Sequence, residues 1–389
     1  MNTDQLLIRG VQDIVPKKGL LERLEKGDKL KVYLGFDPTS NKISLGNAVP
    51  LRKLRDFQNA GHDVIFLVGS FTALIGDTSD KDAMRKAMTL EEIENNFKTY
   101  KEQASKILDF SRAEIVYNGD WLSKLSFQEI VELAQHFTVQ QMIERDMYQK
   151  RLKGGKPIGL HEFLYPLMQG YDSVHMDVDL EIGGNDQLFN MLAGRTLLNA
   201  YKNKEKFVLT TPLIEGLDGR KMSKSYGNTI DIMDEPNDMF GKVMSMADEL
   251  IIKYFNLCTD VPMEEIGEID KSLKAGDNPR DAKVKLAKEI VTLYHDVKAA
   301  DGAEQEFVNV FKKGGTPDDM PIFKLEGERG IIDLLEECKL IDSRGEAKRL
   351  ITQGGVKVDN EKVDDTSKVI QLKEGMIIQV GKRKFGKIG

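Results

Sequence analysis

Apolar runs of strand length alternate with helical patterns up to about residue 215, and this alternation constrains the fold more than any other feature. Residues 63–69 form a continuous apolar run that ends at a glycine, as is typical of a strand buried on both faces of a parallel sheet. Similar runs predict further strands at residues 32–36, 113–118, 174–182 and 207–213. Polar residues 138–160 are predicted to form a mobile loop. The order predicts an α/β fold with a doubly wound parallel sheet.

The stretch from residue 32 to residue 54 is predicted to be the first strand–loop–helix unit. Its apolar run stops at Asp37-Pro38, where a central strand cannot continue, and a helical pattern begins near Gly46. Backbone N–H groups at the start of such a helix attract phosphate, and a glycine there lets a nucleotide lie close to the backbone. Many such units bind nothing, so this one alone leaves nucleotide binding and a purely structural role open.

Composition excludes several classes of protein. The net charge of −7 is not that of a generally basic nucleic-acid-binding protein, so an anionic partner has to meet a local basic patch. Two cysteines, Cys258 and Cys338, are too few for a disulfide framework and lie in helical patterns, which favours buried thiols and a cytoplasmic location. We find neither a signal-peptide pattern nor an apolar run approaching the ~20 residues of a membrane span.

The pattern changes after Ser225. Residues 226–315 are mostly helical, and a small unit of two helices and short strands follows. From Ser343 onward there are eleven Lys and Arg against six Asp and Glu, a net charge of +5. A basic helix and hairpin together favour RNA contact over a merely solvated face, and both remain open. The predicted domains cover residues 1–225, 226–318 and 326–389.

A second element suited to phosphate lies at residues 217–225. There Lys221 and Lys224 stand three residues apart, after a predicted strand and a glycine turn. Lysine ammonium groups in such a loop can neutralise the charge of a departing pyrophosphate. By composition alone an exposed basic loop would be the better explanation, but the literal string Lys-Met-Ser-Lys-Ser is highly specific.

That string resembles the second signature of the class I aminoacyl-tRNA synthetases, and the chain resembles the bacterial tyrosyl-tRNA synthetases along nearly its whole length. Further segments that resemble motifs of this family are residues 35–39, 163–172, 183–187, and 343–350 with 355–359. The resemblance implies a Rossmann-like catalytic domain, an α-helical anticodon-side domain and a small basic RNA-binding domain. It also implies a homodimer that uses L-tyrosine, ATP with Mg²⁺ and tRNA(Tyr), with no tightly bound protein metal and no membrane.

The resemblance assigns roles to individual residues. Those expected to bind tyrosine are Tyr33 and Asp172 at the phenol, Tyr165, Gln169 and Asp77 at the ammonium group, and Asp37, Thr72 and Gln187 nearby. Those expected to bind ATP are Gly35, Ser44, Gly46, Asn47, Gly183, Asp186 (at the ribose), Met222, Ser223 and Lys224. Those expected to act in catalysis are Thr39, Lys221 and Lys224. Those expected to contact RNA are Arg344, Lys348, Arg349 and Lys357.

The spacing of three of these residues makes chemical sense by itself. Tyr165, Gln169 and Asp172 lie at i, i+4 and i+7, on one face of a predicted helix. Enzymes of this kind are the standard example of a site that rejects phenylalanine because the partners of the missing hydroxyl would be left buried and unpaired. Taken singly, Tyr165 is equally a core aromatic, and Asp77 and Asp186 are turn or cap residues. The joint match favours function.

The chain departs from the family at the first signature. Class I enzymes carry His-Ile-Gly-His or a near variant where this chain has Ser-Leu-Gly-Asn at residues 44–47. The amide of Asn47 can still donate to a ribose or ring oxygen, but the hydroxyl of Ser44 is shorter and neutral. Losing one donor to the leaving phosphates typically costs roughly 10²–10³ in rate. Lys42, in the same loop, is a candidate to compensate.

Three interpretations of function follow. The first is a ligase that forms tyrosyl-adenylate from tyrosine and ATP and passes the tyrosyl group to the 3′ end of tRNA(Tyr). The second is a synthetase-like protein that binds tyrosine or RNA but activates the amino acid weakly or not at all, because of Ser44. The third, a synthetase for another amino acid, is disfavoured by Tyr33 and Asp172 together.

Overall fold

The computed structural model describes residues 3–38, 41–76, 89–222, 226–312, 320–341, 343–381 and 384–389. Four of the predicted site residues lie outside these ranges: Thr39, Asp77, Ser223 and Lys224. The chain divides into two compact units, Met1–Asp234 with Met246–Leu286 and Glu235–Ser245 with Ala287–Gly389. The three domain boundaries drawn from the sequence stay a prediction.

The helices and strands are as follows. The helices are α1 (Thr3–Ile8), α2 (Lys17–Glu25), α3 (Leu45–Asn59), α4 (Thr72–Ile75), α5 (Leu90–Ala104), α6 (Gly119–Leu122), α7 (Phe127–Ala134), α8 (Val139–Ile143), α9 (Asp146–Lys153), α10 (Tyr165–Met176), α11 (Leu188–Lys202), α12 (Pro236–Met244), α13 (Ile251–Cys258), α14 (Met263–Ala275), α15 (Pro279–Tyr294), α16 (Val297–Lys312), α17 (Ile331–Glu337) and α18 (Arg344–Thr352). The strands are β1 (Asp13–Val15), β2 (Lys31–Phe36), β3 (Asp63–Val68), β4 (Ala113–Tyr117), β5 (Leu180–Gly184), β6 (Phe207–Thr211), β7 (Ile322–Phe323), β8 (Glu328–Gly330), β9 (Val356–Val358), β10 (Glu361–Val363), β11 (Val369–Gln371), β12 (Ile377–Val380) and β13 (Lys384–Ile388).

A six-stranded sheet with the order β1-β6-β5-β2-β3-β4 organises the first unit. Neighbouring strands are parallel except for β1, which runs antiparallel to β6 at the edge. The chain builds outward from β2 in both directions, first through β3 to β4 and later through β5 to β6. The predicted Rossmann-like, doubly wound sheet is therefore confirmed. Ligands of such sheets bind at the carboxyl ends of the strands where the order reverses, which here is between β2 and β5.

Two local predictions were wrong. Residues 138–160, predicted to be a mobile loop, contain α8 and α9, and a buried ion pair from Arg151 to Glu162 ties α9 to the following turn, with an Nη1–Oε2 distance of 2.6 Å. The strand predicted at residues 174–182 begins only at Leu180, because α10 continues to Met176. Apolar residues at the end of a buried helix give the same short pattern as a buried strand.

The second unit contains helices and a small β-rich domain. In it α12 packs on α16 through Phe240 and Phe307, whose ring centres are 5.5 Å apart. The helices α17 and α18 share one apolar core with strands of a five-stranded sheet, in the order β10-β9-β12-β13-β7. The two helices and short strands predicted for the end of the chain are therefore present.

Both cysteines are buried free thiols, as predicted. Burial raises the pKa of Cys258 to about 12 and that of Cys338 to about 11. Their thiolates, the reactive form of cysteine, are therefore scarce at neutral pH.

Candidate active site

A cavity of about 610 Å³ lies at the carboxyl ends of β2 and β5, at the point where the strand order reverses. Thirteen of the predicted tyrosine and ATP residues line it, together with the predicted catalytic residue Lys221. They are Gly35, Asp37, Ser44, Gly46, Asn47, Thr72, Tyr165, Gln169, Asp172, Gly183, Asp186, Gln187, Lys221 and Met222. Residues from five separate segments of the chain thus meet at one site.

Asp37, directly after β2, joins the helix α10 to α4, the short helix that follows β3. Its carboxylate accepts hydrogen bonds from the hydroxyl of Tyr165 (2.8 Å, to Oδ2) and the hydroxyl of Thr72 (2.8 Å, to Oδ1). A Cβ at Gly69 would lie 1.8 Å from Asp37 Oδ1, so only glycine leaves room for this carboxylate. The three predicted residues therefore form one connected polar wall.

Asp172 is a buried carboxylate at the base of the cavity, with 1% of its surface exposed. It accepts a hydrogen bond from Trp121 Nε1 to Oδ1 (2.8 Å) and from Asn118 Nδ2 to Oδ2 (3.2 Å). Burial raises the pKa of Asp172 well above its usual value, while both N–H donors act in the opposite direction. The site therefore holds a carboxyl group that two donors support and whose remaining lone pairs are available to a ligand hydroxyl.

Asn118 and Trp121 were missed from the sequence. Asn118 also donates to the hydroxyl of Thr72 at 3.0 Å, so it links the two sides of the cavity. The available signal was its position, since Asn118 directly follows β4 and therefore lies at the same edge of the sheet as the end of β2.

Tyr33 does not line the cavity. Its side chain is completely buried, and its hydroxyl is 2.8 Å from the hydroxyl of Ser173 on α10. Burial raises the pKa of Tyr33 well above its usual value, so the phenol is neutral. Here β2 presents this side chain to α10 rather than to the cavity, and the expected contact between Tyr33 and the ligand phenol stays a prediction.

The loop after β5 supplies the opposite wall. A Cβ at Gly184 would lie 2.6 Å from Asp186 Oδ1, so glycine lets the Asp186 side chain fold back over the strand end. Gln187 follows in the same turn and accepts a hydrogen bond from Asn190 Nδ2 at 3.1 Å. Both predicted side chains thus sit on a short turn that leads directly into α11.

Glu181, the second residue of β5, is a third residue that the sequence did not single out. It lines the cavity although only 2% of it is exposed. Its carboxylate accepts a hydrogen bond from Gln169 Nε2 at 2.9 Å and forms an ion pair with the fully buried Lys206. An acidic residue inside an apolar strand was the signal that could have identified it.

Ser44 and Asn47 form the N-terminal cap of α3. The hydroxyl of Ser44 donates to Asn47 Oδ1 at 3.0 Å, and Asn47 N–H donates back to the same hydroxyl at 3.4 Å. Such reciprocal bonds satisfy backbone N–H groups at the start of a helix. The two residues that replace the histidines of the first signature therefore build the helix terminus that faces the cavity. Lys42 does not line the cavity, and its ammonium group is 3.4 Å from Asp231 Oδ2.

The described part of the lysine loop borders the same cavity. Lys221 and Met222 both line it, and a Cβ at Gly46 would lie only 3.1 Å from Met222 Sδ. Asn228 Nδ2 ties the loop together by donating to Asp218 Oδ1 (2.8 Å) and to the carbonyl of Lys221 (3.1 Å). The hydrogen bond from Asn228, together with those from Arg220, lowers the pKa of Asp218 to about 2. Both predicted phosphate elements therefore face one space.

The predicted RNA contacts lie in the second unit. Lys348 and Arg349 are exposed on α18, and Lys357 is exposed on β9. Arg344 is exposed as well, but its guanidinium contacts Asp333 and Glu336, each at 2.7 Å. Among the residues that the structure describes, Lys348, Arg349 and Lys357 have no acidic partner, so their charges are available to an anionic ligand.

Comparison with known proteins decides the family. A profile of the class I tRNA synthetases for tryptophan and tyrosine matches residues 25–312, and one of the C-terminal domain of tyrosine–tRNA ligases matches residues 311–388. The tyrosine–tRNA ligase of Mannheimia succiniciproducens is 48% identical over 383 residues, which are 98% of this chain and 97% of that protein. The chain belongs to the tyrosine–tRNA ligases of class I.

Other members of the family agree with this placement. The tyrosine–tRNA ligase of Thermotoga maritima is 47% identical over 386 residues, 99% of this chain and 96% of its own. The tyrosyl-tRNA synthetase of Archaeoglobus fulgidus, solved with L-tyrosine, has a TM-score of 0.62 and 25% identity, covering 76% of this chain and 98% of its own. The mitochondrial synthetase of Aspergillus nidulans, with a TM-score of 0.67 and 22% identity over 79% of this chain and 93% of its own, shares the fold.

Two further properties concern metals and membranes. Within the described ranges, no three His, Cys, Asp or Glu side chains are grouped so as to hold a metal ion. A search of the helices in the same ranges finds none that is long and apolar enough to cross a lipid bilayer.

Proposed function

We propose that the cavity binds L-tyrosine with its phenol at Asp172 and its ammonium group at Tyr165 and Gln169, with Asp77, Asp37, Thr72 and Gln187 nearby. The observation that carries this proposal is the buried carboxylate of Asp172, supported by two N–H donors and open to the cavity. A neutral phenol donates to such a carboxylate, whereas phenylalanine would leave it buried and unpaired.

ATP lies, in this proposal, across the N-terminus of α3 and the glycines that end β2 and β5. Gly35, Gly46 and Gly183 let the nucleotide approach the backbone, Asn47 and Asp186 bind the ribose, and Ser44 stays part of the helix cap. The N–H groups and dipole at the start of α3 favour the phosphates. Mg²⁺ enters with the phosphates rather than in a cage of protein ligands.

Activation then needs no general acid or base. The tyrosine carboxylate attacks the α-phosphorus, the bond to the β-phosphate oxygen breaks, and pyrophosphate leaves. The protein supplies position and positive charge. Lys221, with Thr39, Lys224 and the backbone around Met222 and Ser223, neutralises the charge that moves onto pyrophosphate. The tyrosyl group next passes to the 3′ end of tRNA(Tyr), the step that completes the ligation.

The test is transfer of labelled tyrosine to tRNA(Tyr) with ATP. We expect charging that needs all three components and that phenylalanine does not support. Binding of tyrosine and tRNA without charging would favour the synthetase-like binding protein instead. The expected place of this reaction is the cytoplasm, where tRNA is charged.

We propose a homodimer that buries an apolar face of the first unit. Five large exposed apolar side chains fall within residues 127–160: Phe127, Val131, Val139, Leu152 and Leu160. Phe127 is 82% exposed and Leu160 is 80% exposed, and Phe127 and Val131 lie on one face of α7. Large apolar side chains that are this exposed are commonly covered at protein interfaces.

Phe127→Asp is expected to convert the dimer into a monomer, because it puts a charge into a desolvated interface. Light scattering during size exclusion should show a dissociation constant raised about 100-fold. Val297→Asp is the matched control, since Val297 is 62% exposed in the second unit and outside this segment. A wild-type monomer, or an unaltered dimer in Phe127→Asp, would contradict the proposed interface.

We propose that α18 and β9 grip the tRNA backbone through Lys348, Arg349 and Lys357, with Arg344 available only if its two carboxylate partners release it. Lys348→Ala/Arg349→Ala is expected to raise KM for tRNA about tenfold and to flatten the salt dependence of binding, because two phosphate contacts are lost. Pyrophosphate exchange, which needs no tRNA, should not change. Lys18→Ala, an exposed lysine of the first unit, serves as control. An equal effect in both variants would refute the assignment.

A further inference from the structure

Lys206 and Glu181 form an ion pair in the interior of the first unit, beside the proposed tyrosine site. Lys206 is 0% exposed and Glu181 is 2% exposed. The ammonium group contacts Glu181 Oε2, donates to the carbonyl of Met191 at 3.0 Å, and lies 5.6 Å from the ring centre of Tyr33. Burial lowers the pKa of Lys206, while the charge of Glu181 acts in the opposite direction. A buried pair of this kind is seldom needed for stability alone, since apolar side chains often replace it without loss.

The packing of two helices provides the space for this ammonium group. A Cβ at Gly194 of α11 would lie 2.3 Å from Lys206 Nζ and 2.7 Å from Ser173 Oγ of α10. A Cβ at Gly170 of α10 would lie 3.1 Å from the backbone nitrogen of Gly194. Glycine at both positions therefore lets the helices close over Lys206. The ammonium group of Lys206 therefore lies in a space that a side chain at position 194 would fill.

The other oxygen of Glu181 reaches the cavity wall. Glu181 Oε1 accepts a hydrogen bond from Gln169 Nε2 at 2.9 Å, and both residues line the cavity. An ionised carboxylate can only accept, so the amide of Gln169 must present its NH₂ group to Glu181. Its carbonyl oxygen is then turned away from Glu181, and within the described residues no protein donor occupies that oxygen.

We propose that the Lys206–Glu181 pair is a positioning device that holds the Gln169 amide with its carbonyl oxygen toward the ammonium group of bound tyrosine. The inference rests on the proposed function, which places that ammonium group at Gln169. An ammonium group is a donor only, so a reversed amide would present N–H to N–H. The ammonium group of Lys206 pairs with one carboxylate oxygen of Glu181, and the other oxygen holds the amide of Gln169 in the productive orientation.

The test compares two fragments of tyrosine that differ in the group concerned. Tyramine carries the phenol and the ammonium group, whereas 3-(4-hydroxyphenyl)propionate carries the phenol and the carboxylate. Trp121, the single tryptophan, donates to Asp172 and reports binding of either ligand by its fluorescence. Glu181→Met/Lys206→Met removes both charges together and retains side-chain length, so no uncompensated charge stays buried.

We expect this double variant to bind tyrosine and tyramine about 10- to 100-fold more weakly, the range for a hydrogen bond to a charged group, and hydroxyphenylpropionate within twofold. Adding Gln169→Leu to the double variant should not weaken tyramine binding further. Gln169→Leu alone should weaken tyramine binding as much as the double variant does. Arg195→Met/Glu205→Met removes a surface ion pair in which Arg195 Nη2 lies 3.1 Å from Glu205 Oε1. This control variant should change the affinity for neither ligand.

Three results would overturn the inference. The double variant could lose affinity equally for both fragments, it could bind tyramine as wild type does, or its loss of tyramine affinity could add to that of Gln169→Leu. If the double variant does not fold, Glu181→Gln must show the same selective loss of tyramine, and its absence overturns the inference equally. Failure of the wild-type protein to bind tyrosine would instead overturn the proposed function, so the two failures are distinguishable.

Discussion

Asp172→Asn is expected to lower kcat/KM for tyrosine in pyrophosphate exchange about 100-fold and to narrow the preference for tyrosine over phenylalanine by a similar factor. The carboxylate accepts from Trp121 and Asn118 and keeps lone pairs for the substrate hydroxyl. An asparagine amide has a single acceptor oxygen. Its NH₂ group would therefore face one of the remaining donors, either a protein N–H group or the substrate hydroxyl. Phenylalanine makes no hydrogen bond at this site, so its weak activity should change little.

Asp177→Asn is the matched control for this change. Asp177 is exposed at the end of the same helix, in a left-handed conformation that asparagine also adopts readily. Its exchange activity should stay within twofold of wild type. Thermal unfolding of both variants separates lost recognition from lost structure. A parallel fall for tyrosine and phenylalanine in Asp172→Asn would show that Asp172 does not read the phenol.

Lys221→Met is expected to reduce the rate of tyrosine-dependent exchange about 10²–10³-fold, the usual cost of losing one group that stabilises developing charge. The methionine keeps the length of the side chain and removes only the positive charge. Because Lys221 belongs to the loop that is proposed to bind pyrophosphate rather than the amino acid, tyrosine binding measured by Trp121 fluorescence should be unaltered. The effect belongs in kcat, not in the affinity for tyrosine.

Lys101→Met, at an exposed position of α5, controls for the loss of one charge. Its exchange rate should equal that of wild type. An unchanged rate in Lys221→Met would mean that the lysine loop plays no part in activation. Weaker tyrosine binding with an unchanged rate would place Lys221 in the amino-acid site.

The sequence predicted those parts of the site that depend on local spacing. Tyr165, Gln169 and Asp172 line one cavity because helical periodicity alone puts them on one face. The end of β2 at Asp37 followed from the proline after it. The parts that were missed depend on which distant strands become neighbours. Glu181, for example, lies opposite Tyr33 on the neighbouring strand and forms an ion pair with Lys206.

The surroundings of Tyr33 could not be predicted from a residue-by-residue resemblance. The residue type matched, but its hydroxyl bonds Ser173 and its ring covers a buried ammonium group. That environment depends on the close approach of α10 and α11 at Gly170 and Gly194, which no local pattern reveals. The helices within residues 138–160 were missed for a related reason, because the buried Arg151–Glu162 pair stabilises a segment whose composition is that of a loop.

This chain, a tyrosine–tRNA ligase by family, has Ser44 where the first signature of class I has histidine. The structure gives Ser44 a different task, since its hydroxyl is engaged with Asn47 in the cap of α3. In the proposed function, charge neutralisation at the phosphates is then left to the start of α3, to Thr39 and to the lysine loop. A histidine at position 44 would lose the cap, a change that typically costs about 1 kcal/mol.

The most direct measurement is exchange of labelled pyrophosphate into ATP, with tyrosine or phenylalanine, by the wild-type protein and by Ser44→His. We predict exchange by the wild-type protein that depends on tyrosine, and no gain of tenfold or more in Ser44→His. No exchange by a wild-type protein that still binds tyrosine, with activity appearing in Ser44→His, would contradict the account and leave a synthetase fold used for binding.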